Sequence, residues 1–110
     1  MTYHLTQTYM ETRTAYYVVE ATNICDSDGN AIDHTESHKL FDTLQKASEY
    51  ASMRSACGNL HYPLTIEEHR EERRPPPIGR HYKHGAGWFL QDGFDPPIVE
   101  QWWAGKSIAV

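Results

Sequence analysis

Ala15-Tyr16-Tyr17-Val18-Val19-Glu20-Ala21-Thr22-Asn23-Ile24-Cys25, followed at once by Asp26-Ser27-Asp28-Gly29-Asn30, is the stretch whose reading decides the fold. The first part is rich in β-branched and aromatic side chains, which suit a pleated, half-buried surface. Side chains alternate along a strand, so Tyr17, Val19 and Ala21 share one face and Tyr16, Val18 and Glu20 the other. The Asp/Gly/Asn run then breaks the strand, because Gly and Asn tolerate positive φ. Residues 31–40 continue as a partner strand, with Ile32, His34, Glu36, His38 and Leu40 on one side. Upstream, Tyr3, Leu5 and Tyr9 alternate with His4, Thr6, Thr8 and Met10, a partial period-two signal. Together the three segments predict an antiparallel meander.

A helix follows. Asp42 or Thr43 can cap it, and Gln45 stands where a capping box places its third residue. Leu44, Ala47, Tyr50 and Ala51 fall at helical spacing and form the expected buried stripe. Gly58 and Asn59 supply a left-handed stop after Cys57. The words Phe41-Asp42-Thr43 with Ala47, Tyr50 and Ala51 resemble the strand-to-helix junction of the AP2 family of DNA-binding domains, over residues 16–56. That family sets three strands before a helix and reads DNA with Arg and Trp from the sheet. The present chain departs from it at those positions. Its two matching strands carry Glu20, Asp26, Asp28, Asp33 and Glu36, with Lys39 the only base.

Beyond residue 60 the pattern is less regular. Thr65-Ile66-Glu67-Glu68 reads as a capping box opening a helix through Arg74, with acids at its start and Arg73 and Arg74 at its end, as the helix dipole prefers. Pro75-Pro76-Pro77 ends it, and the basic loop to Gly87 is expected to be exposed. Trp88-Phe89-Leu90 reads as a short strand and Asp92-Gly93 as a turn. Asp95-Pro96-Pro97 then predicts a short helix carrying Ile98, Val99, Trp102 and Trp103, stopped by Gly105. The fold class expected is α+β: a three- to four-stranded antiparallel sheet with one main helix packed on it and short helices in the C-terminal half. Residues 1–110 are read as a single domain, with a strand-strand-strand-helix core over 1–60.

Composition bounds the function. At 110 residues, 39% apolar and 12% aromatic, the chain has material for one core. The start lacks a basic leader, and the longest apolar run, residues 15–19, is far short of the ~20 residues that span a bilayer. The expectation is a cytoplasmic protein with no membrane partner. Cys25 and Cys57 lie in different elements and are read as separate buried thiols rather than a bridge. The net charge of −5 is uneven: residues 1–72 hold five Lys/Arg against twelve Asp/Glu, while residues 73–88 hold Arg73, Arg74, Arg80 and Lys83 with no acid. An acidic body disfavours general affinity for phosphate backbones.

Chemical motifs are sparse. His34 and His38, four apart, could share a zinc ion on a helix, but on a strand they stand ~13 Å apart. His61, His69, His81 and His84 show no ligand spacing, and Lys83 beside the last pair repels a cation. Asp26 to Asp33 lacks the Gly and Glu that a calcium loop needs at its sixth and twelfth positions. Cys57 has His61 nearby, but a helix C-terminus has the wrong sign to favour a thiolate. No cofactor, metal or catalytic residue is implied. Residues 70–88 interleave Arg73, Arg74, Arg80 and Lys83 with Tyr82 and Trp88, a composition that suits single-stranded nucleic acid. Of Trp102 and Trp103, one is expected inside and Trp103 at an interface.

The function expected is a small acidic, non-catalytic protein-binding module. It compares in size and charge with phage-encoded inhibitors of host nucleic-acid-handling or defence complexes, including anti-CRISPR proteins. Glu20, Asp26, Asp28, Asp33 and Glu36 would mimic phosphates toward another protein's basic groove, with Arg73, Arg74, Arg80, Lys83, Trp88 and Trp103 as a second patch. The alternatives are nucleic-acid binding through residues 70–88, a His-dependent metal enzyme, and, among partners, a homodimer.

Overall fold

A computed structural model of the chain describes residues 11–73, 87–108 and 110. In chain order the elements are β1 (Thr12–Cys25), β2 (Ala31–Phe41), α1 (Leu44–Ala56), β3 (Leu64–Arg73), β4 (Trp88–Leu90), β5 (Ile98–Trp103) and β6 (Lys106–Ile108). All pairings are antiparallel, in the order β2-β1-β3-β5-β6, with β4 also on β3. The class is α+β, with one helix on an antiparallel sheet among the described residues. That sheet has six described strands, however, where three or four were expected.

The β-rich opening forms β1, and the Asp/Gly/Asn run forms the turn to β2. Gly29 takes φ +84° and its N–H bonds to the Asp26 carbonyl, a conformation that favours glycine. Tyr16 stands opposite Phe41, and the ladder runs to Cys25 opposite Ala31 with one bulge near the turn. The side of β1 away from β2 is taken by β3, from Thr12 opposite Glu72 to Val19 opposite Thr65. Residues 3–10, the expected first strand of the meander, lie outside the described residues.

Thr43 caps α1, its Oγ1 accepting the Lys46 N–H at 3.2 Å, so Lys46 rather than Gln45 occupies the third helical position. Gly58 at φ +80° and Asn59 at +65° stop the helix as expected. Ala47, Ala51 and Ser55 recur every four residues and are buried, whereas Leu44 and Tyr50 pack at the margins. Small side chains along one line let the helix lie close over Val18, Leu64 and Ile66.

Both helices expected after residue 60 are strands. Residues 64–73 hold only two large apolar side chains, Leu64 and Ile66, two apart. On a strand both point to one face, where each is wholly buried; a helix would set them ~200° apart and leave neither a core. Tertiary burial thus overrides the capping-box signature. The Pro96-Pro97 signal fails for a similar reason: the Pro97 carbonyl accepts the Glu68 N–H, which fixes extended backbone entering β5. Ala104 (φ +53°) and Gly105 (φ +79°) make the two-residue hairpin turn to β6 rather than a helix stop. The expected strand at residues 88–90 is β4, and it lies end to end with β5 along the same edge of β3.

The close helix–sheet approach makes a test. Leu and Ala have similar helix propensity, so Ala51→Leu probes packing alone. With Ala51 at 0% exposure, the substitution should cost about 1–3 kcal/mol by overpacking, read by urea denaturation. An unchanged midpoint would show that the helix does not lie tight on the sheet.

Candidate binding surfaces

The sheet presents one face to α1 and leaves the other without a helix among the described residues. On the second face Glu71 is 5% exposed, although it is ionisable. Arg13 Nε donates to its Oε1 at 2.7 Å and the Tyr17 hydroxyl donates to its Oε2 at 2.7 Å. The Arg13 guanidinium also lies 4.3 Å from the Trp88 ring centroid, and the Tyr17 ring sits 4.4 Å from that of His69. His69 Nε2 is 3.0 Å from Glu67 Oε1. Strands β1, β3 and β4 are thereby tied together by side chains as well as by their ladders. Register does this: Arg13 is opposite Glu71, and Arg73 beside it is opposite Trp88.

The chemistry of that cluster is cohesive. Burial first, then the hydrogen bond to Glu71 and its negative charge, push the Tyr17 phenol from 10.0 up to about 12, with Arg13 pulling the other way. At neutral pH Tyr17 therefore keeps its proton and serves as a donor, and Glu71 is committed to two donors. The sequence reading missed this cluster because a helix from Thr65 to Arg74 turns His69 ~200° away from Glu67 and Glu71 and sets no residue opposite Arg13 or Tyr17. The alternation of Leu64 and Ile66 was the available signal.

The acidic residues singled out in the sequence divide into two kinds. Glu20 is a brace: Arg54 of the helix donates to both its oxygens, at 3.0 and 2.7 Å. Asp26 is a turn residue, its Oδ1 accepting the Asp28 and Asn30 N–H groups at 2.9 Å. Asp28, Asp33 and Glu36 are exposed on the hairpin. Asp33 accepts only the N–H of its neighbour His34, and Asp28 and Glu36 offer carboxylates with no side-chain partner among the described residues.

The second patch is dispersed. Arg74, Arg80 and Lys83, with His81, Tyr82 and His84, lie outside the described residues. Arg73 Nη1 reaches Glu11 Oε1 at 3.4 Å, and Trp88 is half-buried under Arg13. Trp102 packs on the core, while Trp103 is 43% exposed and borders a cavity of about 150 Å³ with Ser55, Gly58, Asn59, Leu60 and Ala104. Their divergence comes from strand alternation, not from the helical angle expected. The two cysteines are free but exposed, which corrects the expected burial. His61 Nδ1 accepts the Asn23 N–H at 2.8 Å. Among the described residues no three His, Cys, Asp or Glu side chains gather as a metal site, and no helix is long and apolar enough to cross a membrane.

Compared with known proteins, the chain matches no family model, no curated protein and no solved structure.

The Tyr17–Glu71 bond fixes a pH dependence. A phenol whose folded value is raised holds its proton more tightly folded than unfolded. Its contribution is complete below pH 10 and is lost as pH rises through about 12. Tyr17→Phe should destabilise the chain by about 1–3 kcal/mol at neutral pH, since the bond is to a charged acceptor. It should also remove a phenolate that titrates at about 12 from the ultraviolet absorbance titration. A difference titration with its midpoint at 10 would refute the assignment.

Proposed function

We propose that this chain is a non-catalytic protein-binding module that meets a partner through the β1–β2 hairpin arm. The observation that carries this reading is the exposure of β2. Every residue from 31 to 40 is exposed, on both faces of an eleven-residue strand. Past Val19, β1 pairs with no strand but β2 among the described residues, so the arm there has two strands and no core of its own. Isolated two-stranded hairpins are marginal in water, and an arm that adds nothing to its own core is suited to contacting something else.

The charge of the arm sets the partner's chemistry. Asp28, Asp33 and Glu36 are its exposed acids, and Lys39 is its one base, lying 5.2 Å from the Tyr50 ring centroid on the helix side. A cationic groove on another protein complements this surface, and phosphate backbones do not. An inhibitor of a nucleic-acid-handling complex, of the kind phages encode, would use such a surface in place of nucleic acid. The cations of the described residues support the same direction. All four described arginines are engaged: Arg13 with Glu71, Arg54 with Glu20, Arg70 over the Phe94 ring, and Arg73 with Glu11.

Fluorescence anisotropy against a labelled oligo-arginine peptide and a labelled single-stranded oligonucleotide separates the two readings. The chain should bind the peptide in a salt-sensitive way, and Asp28→Lys/Asp33→Lys/Glu36→Lys should weaken that binding about tenfold or more. Tight oligonucleotide binding, abolished by Arg73→Glu/Arg74→Glu, would replace this reading with nucleic-acid recognition through residues 70–88.

A further inference from the structure

The two edges of the hairpin arm are treated differently. On the β1 side, where β3 no longer reaches, the Asn23 N–H bonds to His61 Nδ1 and the Asn23 side chain accepts the Tyr62 hydroxyl at 2.9 Å. That edge is closed by side chains. On the β2 side no described strand pairs along the whole length.

The direction of the free backbone groups on β2 follows from the ladder. In an antiparallel sheet a residue's N–H and C=O point together toward one neighbour, and the direction alternates along the strand. Glu68 N–H bonds to the Pro97 carbonyl and the Arg70 carbonyl accepts from Gln91, so even-numbered residues of β3 face β5 and β4. Arg73 N–H bonds to the Glu11 carbonyl, so odd-numbered residues of β3 face β1. The odd residues of β1 opposite them, Arg13 to Val19, therefore bond to β3, and its even residues bond to β2. The β2 residues opposite those even positions are Asp33, Thr35, Ser37, Lys39 and Phe41. His34, Glu36, His38 and Leu40 are left with N–H and C=O turned outward. The Asp33 carboxylate accepting the His34 N–H fits this, because that N–H has no described strand to bond.

We propose that a second copy of this chain pairs with the outer edge of β2, antiparallel about a two-fold axis through Glu36, so that two sheets become one. An isologous antiparallel seam requires the axis to run perpendicular to the sheet, which keeps like faces together. Only registers centred on a residue satisfy that condition. Centred on Glu36, Asp33 faces the partner's Lys39 in each half, Thr35 faces the partner's Ser37, and Ile32 lies beside the partner's Leu40. Ile32 and Leu40 are 65% and 47% exposed in the single chain. Centring on Ser37 instead sets Asp33 against Phe41, and centring on Thr35 sets Ala31 against Lys39. Charge and apolar complementarity thus select one register. Its one unfavourable pair is Glu36 against its own copy at the axis, on the face that also carries His34 and His38 of both chains. Pairing releases Asp33 from the His34 N–H, which the partner's backbone takes over. The arm becomes four-stranded and gathers Asp28 and Glu36 of both copies for any partner met by its faces, while Asp33 is taken by the seam; the dimer itself does not depend on that partner.

Sedimentation equilibrium of the full chain at low salt tests the register. The wild type should be a dimer. Asp33→Lys and Lys39→Asp should each weaken it about tenfold or more, because two facing ion pairs become two repulsions, and the double swap should recover to within about threefold. Glu36→Gln should tighten it by removing the like-charge pair. Glu36→Pro should give a monomer with unchanged circular dichroism, since it deletes an outward N–H and leaves the β1–β2 ladder intact. A monomeric wild type, a dimeric Glu36→Pro protein, a Glu36→Gln protein that is weaker, or a double swap no better than either single change would overturn the proposal.

Discussion

The structure turns on a mismatch of strand lengths. β1 runs for fourteen residues, but β3 accompanies it only from Thr12 to Val19. A strand's polar groups need partners on both sides, and the molecule meets that need in two ways. Where β3 is present, the sheet is continuous and carries the core. Where β3 stops, the chain closes one side of the arm with His61 and Tyr62, and β2 is the edge of the sheet among the described residues. The arm, its exposed acids and its outward backbone groups all follow from that one difference in length.

The core half is held by a line of small residues on the helix. Ala47, Ala51 and Ser55 bring α1 down onto Val18, Leu64 and Ile66, and Ser55 accepts the Gly105 N–H at 2.9 Å to hold the β5–β6 turn. Glu100 fastens β5 to the same helix, accepting from the Ser48 hydroxyl and the Trp102 indole. On the opposite face Glu71, between Arg13 and Tyr17, fixes β3 against β1. A buried carboxylate left without its donors is costly, so any register that parts Glu71 from Arg13 and Tyr17 is penalised.

The arm and the clusters differ in what they leave available. Glu20 and Glu71 are spent on internal ion pairs, whereas Asp28, Asp33 and Glu36 are not. A residue's charge in the sequence therefore overstates the molecule's acidic surface. Register decides which acids remain: Glu20 lies on the helix face within reach of Arg54, and Glu36, opposite Ala21, lies on the other.

By itself the sequence determined the elements whose signals are local. β-branched density gave β1, turn chemistry gave the Asp26–Asn30 reversal, and a capping threonine with left-handed Gly58 and Asn59 bounded the helix. It also marked five acids of the hairpin, of which Glu20 is spent on Arg54 and Asp26 on the turn while Asp28, Asp33 and Glu36 stay exposed. What only the tertiary structure decided was the state of residues 64–73 and 98–103 and the fate of the charged side chains. Leu64 and Ile66 are too few to declare a period, and the helix-cap words around them are honoured only if no better burial exists. Packing under α1 supplied that burial, and a strand is the one conformation that turns both residues toward it. Ion pairs such as Arg13–Glu71 and Arg54–Glu20 join positions 58 and 34 residues apart, a distance across which sequence pattern carries no information and register carries all of it.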